Sequence, residues 1–413
     1  MTSSMGTEGA RPDDARRHNR AAVLRRVHFG GPCTRAVLAA ELGLNRSTIK
    51  AVVDGLAESG LVSERLPAQR SGAGRPSLLV LPRPRSAVVL AVDIRVDRVA
   101  MAMVGLGGEN LGRLGWRLRS GPARSSDRPV EVLTRVIESA RLLADELGVR
   151  PVAAGVSVPG VVRRADGLVR AAPHLGWVDL ELGKRLSAGL GIPVAVANDA
   201  ELGALAEHTR GVARDAADLV FVVGDIGVGG GVISGGSAQR GAGGYRGELG
   251  HMIVRPDGRE CHCGCRGCWE TEICEAALLR ALGLPENTGR GELVAELREL
   301  GADPGIALER LGEFTGWLTL GLVNVVNMFA PEVVVLGDLL TALPGPVLDV
   351  VAERVGRASM ISRAIGDTRV VRSALGVEAQ LIGAAELAFG PALDLAAGPT
   401  ARDDPIRRSG RIP

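Results

Sequence analysis

The chain has 413 residues, more than a single compact core accommodates and enough for two or three domains. Apolar residues make up 46% and charged residues 23%, an ordinary globular balance, and no apolar run approaches the ~18 residues of a membrane helix. The net charge is +2, but residues 1–85 carry 14 Lys and Arg against 7 Asp and Glu, whereas the remainder carries 35 against 40, so a polyanionic partner is expected for the N-terminal end alone.

The N-terminus "MTSSMGTEGARPDDARRHNR" has no apolar core of a secretory signal, and a cytoplasmic chain is expected. Residues 34–62, "TRAVLAAELGLNRSTIKAVVDGLAESGLV", predict helix, tight turn, helix. Ala36, Leu38, Ala39 and Leu42 give the first helix a buried face, Gly43 breaks it, and Asn45 or Ser47 can cap the second. There Ile49, Val52, Val53 and Leu56 repeat at helical spacing. Near its N-terminal end the second helix exposes Arg46, Ser47, Thr48 and Lys50, residue types that read base edges or hold phosphate in a major groove. An extended stretch from Gly60 and a returning strand at 71–81, with Arg75 at the turn, read as a wing. Winged helix-turn-helix binding of operator DNA is therefore expected for residues 15–81, an α+β unit with a core of its own; the alternative is a helical hairpin with a solvated basic face. "LPRPRS" supplies a linker at 82–86.

From residue 87 strands and helices alternate, predicting an α/β domain at 87–393 with two similar lobes around a cleft. Strands are predicted at 87–94, 98–106 and 113–120, a helix at 129–147, a strand at 152–160, a helix at 179–190, a strand at 194–199 and a helix at 200–209. A strand, glycine turn and strand at 219–236, long helices across 304–328, a strand at 331–338 and a further helix make up the second set. Polar, Pro-rich residues 394–413 predict a disordered tail. "AND", Ala197 to Asp199, ends an apolar strand, where α/β folds place ligand groups. Asn198 and Asp199 suit sugar hydroxyls, and Asp199 could serve as a general base; helix capping explains the same residues equally well.

Four of six cysteines lie within "ECHCGCRGCWE", residues 260–270. A disulfide clasp, a redox pair and a metal site are the options, and a reducing compartment disfavours the first. His251, Cys261, Cys263 and Cys268, with glycines that let the backbone double back, form a closed tetrahedral donor set that favours structural zinc. Cys265 and His262 remain as spare donors, with Cys265 able to replace one of the thiolates.

"GELGH" followed by "CHCGCRGCWE" resembles the zinc signature of the ROK family of repressors, open reading frames and sugar kinases. "VSVPG", "APHLGW", "AND", "GVGGGVISGG", "PEVVVLG" and "LIGAA" are similar to its other landmarks in the same order, so the resemblance spans residues 19 to about 390. It implies two actin-like (ribonuclease H-like) lobes and a sugar cleft braced by zinc. By the same resemblance Asn198, Asp199, Glu248, His251 and Glu270 would bind the sugar, with His251 serving both zinc and sugar. The residue matching Asp199 is the catalytic base of the kinase members.

The phosphate-holding motifs depart from that pattern. "DIRVD" puts Arg95 and Asp97 where kinases of the family have glycine and threonine, Ile226 stands where a hydroxyl is usual, and Asp338 replaces a glycine. A side chain blocks the close approach of backbone to phosphate, and a carboxylate repels it. His174 stands where the family usually has Asn. A non-catalytic regulator responding to a sugar or sugar phosphate, working as a homodimer or homotetramer, is therefore expected; an ATP-dependent sugar kinase is the alternative.

Overall fold

Ahead of the helix-turn-helix lies a helix that the sequence patterning did not single out. In the computed structural model, which describes residues 12–396 except 68–76, 119, 122–123, 126–127, 240, 242–246 and 367, together with residue 398, α1 (Pro12–Gly30) buries Val23, Leu24 and Val27. β1 (Cys33–Thr34), α2 (Arg35–Leu42), α3 (Arg46–Glu58), β2 (Val62–Arg65) and β3 (Leu79–Pro82) follow, the strands pairing in the order β1-β3-β2. Thr34 caps α2 and Gly43, at φ 64°, ends it. Asn45, not Ser47, caps α3: its Oδ1 accepts from the Thr48 amide at 2.8 Å and from the Ser47 hydroxyl at 2.7 Å. Arg75 and the rest of the expected wing tip lie outside the described residues.

The first lobe comprises β4 (Val88–Ile94), β5 (Arg98–Gly105), β6 (Glu109–Arg117), β7 (Ser120–Gly121), β8 (Arg124–Ser125), α4 (Pro129–Leu147), β9 (Ala153–Val158), β10 (Val161–Arg163), β11 (Leu168–Ala172), β12 (Trp177–Leu180), α5 (Leu182–Leu190) and β13 (Val194–Asn198). α6 (Asp199–Thr209) leads to the second, made of β14 (Leu219–Gly224), β15 (Val228–Ser234), β16 (Ser237–Ala238), α7 (Glu270–Ile273), α8 (Glu275–Ala281), α9 (Arg290–Leu300), α10 (Pro304–Arg310), α11 (Gly312–Phe329), β17 (Val333–Asp338), α12 (Gly345–Ala358), α13 (Met360–Ile365) and β18 (Arg369–Arg372). α14 (Ala379–Ala396) returns to the first lobe. The two five-stranded sheets, ordered β13-β9-β4-β5-β6 and β16-β15-β14-β17-β18, share one plan, antiparallel hairpins joined to parallel strands. This is the two-lobed, actin-like α/β architecture.

Several details depart from the patterning. The third strand begins at Glu109 rather than at 113, because the turn at Gly107 and Gly108 is tighter than apolar spacing reveals. The helix expected from 179 starts at Leu182, since Asp179 and Leu180 finish a strand paired with β11. α14 extends to Ala396, beyond the expected start of the tail at 394, and Arg25 pairs there with Asp394 at 2.7 Å. Residues 397 and 399–413 lie outside the described residues.

The N-terminal unit does not have a separate core. Its buried residues Leu24, Leu56 and Val80 belong to one apolar cluster with Val89, Leu381 and Phe389 of the first lobe and α14. The stretch expected as a linker is packed too, its Pro84 carbonyl accepting from the Leu106 amide at 3.0 Å. α14 comes close enough to the sheet that a Cβ at Gly155 would fall 1.8 Å from the Ala384 carbonyl oxygen; only glycine permits the approach. No helix among the described residues is long and apolar enough to cross a membrane.

Candidate functional site

A cleft of about 400 Å³ opens between the lobes and is lined by His174, Asn198, Asp199, Glu248, His251 and Glu270. The β13-to-α6 corner supplies two of these. Asn198 is the helix cap, its Oδ1 accepting from the Ala200 amide at 2.8 Å, and its Nδ2 donates to the Gly160 carbonyl at 3.0 Å. Capping by Asn198 leaves Asp199 as the first helical residue with one carboxylate oxygen, Oδ1, on the Ala200 amide. Burial in the cleft wall pushes the Asp199 carboxyl up to about 6, against the pull of the Ala200 amide, and Asp93 and Asp338 add to the rise while Arg95 opposes it. A carboxylate so placed is a strong acceptor for a hydroxyl above that pH and becomes a donor below it.

Across the cleft, Glu270 starts α7 and is nearly buried, its Oε2 accepting from the Val228 amide at 2.9 Å. His251 turns its two ring nitrogens in different directions: Nδ1 lies 3.7 Å from the Cys261 sulfur and Nε2 lies 3.7 Å from Glu248 Oε2. The Cys263 and Cys268 sulfurs are 3.6 Å apart, far beyond a disulfide bond, and all six cysteines are free. Two thiolates on one tetrahedral zinc, with bonds near 2.3 Å, sit about 3.8 Å apart. His251, Cys261, Cys263 and Cys268 converge within 4.8 Å of one another, so this Cys3His set fits a metal ion. Cys265 stands outside the set and is exposed.

The opposite end of the cleft is filled by charge. Arg95, 6% exposed, donates from Nε to Asp93 at 2.7 Å and pairs through Nη1 with Asp338. Its Nη2 donates to the Gln380 side chain at 2.7 Å and to the Val377 carbonyl at 2.9 Å. Burial works against its charge, but Asp93 and Asp338 more than offset this and hold its pKa above the ordinary value. Arg290 adds pairs with Asp225, with Glu275 at 3.1 Å and with Asp338 at 3.3 Å.

The five residues expected to contact sugar thus line one cleft or its rim, and the four expected metal ligands meet beside it. Arg46, Ser47 and Lys50 are exposed on α3 and Thr48 is partly so. Lys50 already holds Asp54 at 2.7 Å. The patterning missed the junction at the far end of α6. There Arg210 donates to the His28 carbonyl at 2.9 Å and pairs with Glu386 at 2.8 Å, while the fully buried His28 meets Glu386 at 2.8 Å. A His on a helix carries no sequence signal for a partner 358 residues away.

Residues 89–390 match the model of the ROK family, and the chain belongs to that family. Over 379 residues it is 28% identical to the xylose repressor of Bacillus spizizenii, covering 91% of this chain and 96% of that one. A glucokinase of Streptomyces coelicolor is 31% identical over 284 residues, covering 63% of this chain and 86% of the enzyme. The crystal structure of a ROK family transcriptional regulator, a homologue of the Escherichia coli MLC protein, superposes with a TM-score of 0.72 at 24% identity, covering 93% of this chain and 97% of that one.

Proposed function

We propose that this protein is a sugar-responsive transcriptional repressor of carbohydrate genes, binding operator DNA through α3 and a sugar or sugar phosphate in the cleft. The observation that carries the reading is α6. Its first turn places Asn198 and Asp199 in the cleft, and eleven residues later, about 16 Å along the axis, Arg210 grips the backbone of α1 in the DNA-reading unit. Any shift of the cleft wall on closing over a ligand is thereby delivered to that unit, and the ligand stabilises whichever arrangement it binds more tightly. The relatives named repressors, one of which matches over nearly its whole length, support the same reading.

The Cys3His set holds zinc in this reading. Zinc bound there is a structural brace that fixes His251 and the start of α7, so that His251 Nε2, Glu248 and Glu270 face the ligand. The nucleotide side is given up: Arg95 and Asp338 occupy with their own charges the space where phosphates would need bare backbone. The chain acts without phosphoryl transfer, as a homodimer or homotetramer. A gel shift on DNA upstream of its own gene, with and without a panel of mono- and disaccharides, beside a coupled ATPase assay with the same sugars, is the test. Sugar-dependent change in DNA binding with no ATP turnover is expected; stoichiometric sugar phosphate would establish a kinase instead.

A further inference from the structure

Beside the thiolate cluster, on the cleft side, a second donor set has formed. His174, Glu270 and His262 each present a ligand atom within 4.8 Å of the others. They come from three separate places: the turn after β11, the start of α7, and the position between the first two cysteines of the knot. The imidazoles of His174 and His262 stand edge to face with centroids 4.6 Å apart, and His262 Nδ1 lies 3.4 Å from Glu270 Oε1. All three line the cleft.

We propose that His174, His262 and Glu270 form a second divalent cation site, separate from the Cys3His centre and open to the cleft. Two imidazoles and a carboxylate are a borderline donor set that suits first-row divalent ions such as zinc, and three protein ligands leave positions free. Metal bonds of about 2.0 to 2.2 Å would bring such donors to roughly 3 Å from one another, so the set must contract. His262 has room to do so, its side chain being 34% exposed, while Glu270 is anchored by the Val228 amide. Gly227 keeps the approach clear: a Cβ there would stand 2.6 Å from Glu270 Oε2 and 3.3 Å from His174 Nε2. The thiolates are already committed by geometry to their own centre, where Cys263 and Cys268 sit 3.6 Å apart. The free positions of the second ion face the ligand space, where adjacent hydroxyl oxygens would complete its shell; this last step rests on the sugar reading, whereas the cation site does not.

Equilibrium dialysis of the full chain against micromolar zinc, followed by elemental analysis, tests the site. Two zinc ions per wild-type chain are expected and one per His174→Asn chain. His174 lies far in sequence from the cysteines, so the thiolate centre of this variant should keep its thiolate-to-metal charge-transfer band on cobalt substitution. A His262→Asn chain should also hold one. One zinc in the wild type, or equal zinc content in wild type and His174→Asn, would overturn the proposal and leave the trio as hydrogen-bonding groups. Sugar affinity of the wild type is then measured with one and with two equivalents of zinc. A gain of about tenfold with the second equivalent, absent in His174→Asn, places the ion against the effector; an unchanged affinity removes that step while the stoichiometry still decides the site.

Discussion

Arg95, just past the first lobe's central strand β4, is ion-paired with Asp338 at the end of β17, the parallel neighbour of the second lobe's central strand. Asp338 keeps this position although its φ is 52°, a conformation that favours glycine. Two charged residues 243 positions apart in the chain are therefore one feature: each is buried against the other. Removing Arg95 leaves the buried Asp93 without its cation and Asp338 with Arg290 alone, so Arg95→Ala should cost about 3 to 5 kcal/mol in urea unfolding. A double-mutant cycle with Asp338→Gly should show coupling of at least about 1 kcal/mol. Additive effects would mean that the lobes are not held together here.

Exposed Arg46 and Lys50 occupy the first turns of α3. Arg46→Ala should weaken operator binding by about 1 to 3 kcal/mol if it reads a base, with sugar affinity unchanged. Lys50 must first leave Asp54, so Lys50→Ala should have the smaller effect and chiefly reduce the salt dependence of binding. Fluorescence anisotropy on labelled operator at several salt concentrations measures both.

Cys263→Ser should lower zinc content and release His251 from its orientation, because a four-ligand site loses affinity steeply with one thiolate gone. The DNA-reading unit packs against the first lobe and α14, away from the knot, so the variant should still bind operator yet fail to respond to sugar. Elemental analysis beside a sugar-titrated gel shift decides; a zinc-depleted variant with a normal response would disconnect the knot from sensing.

The Asp199 carboxyl, raised to about 6, is the stronger hydroxyl acceptor when ionised and turns one oxygen into a donor when protonated. Asp93 and Asp338 face it with like charge and Arg95 with opposite charge. Binding that needs the carboxylate is complete above this pKa and weakens as pH falls through it, by about tenfold from pH 7 to pH 5. Calorimetric titration of the active sugar across that range should show the loss. Asp199→Asn should bind more weakly at pH 7 and lack this part of the pH dependence.

Arg210→Ala removes the grip of α6 on the His28 carbonyl and one of the two partners of Glu386, whose carboxyl His28 and Arg210 hold below the usual range despite burial. Sugar affinity and effector-free operator affinity should each stay within about threefold of wild type, while the change in operator affinity caused by sugar, typically 1 to 3 kcal/mol in coupled sites, should shrink. A full response in this variant would mean that the signal passes elsewhere.

Much of this protein is determined by local sequence. A cap at Asn45 or Ser47, the turn at Gly43, the helix over Pro129–Leu147 and the convergence of three thiolates with one imidazole all follow from short-range spacing, because turns, caps and metal ligands close over a few residues. The tertiary structure decided what depends on chain segments meeting across the fold. Sequence leaves Arg95 and Asp338 as two unrelated charges, and only the packed lobes make them partners. His28, Arg210 and Glu386 look like ordinary helix polarity until α1, α6 and α14 cross, and the apparently independent DNA-reading unit proves to share its core with the first lobe. The physical reason is that burial and charge pairing are set by which surfaces exclude water together, a property of the assembled fold that no local periodicity encodes.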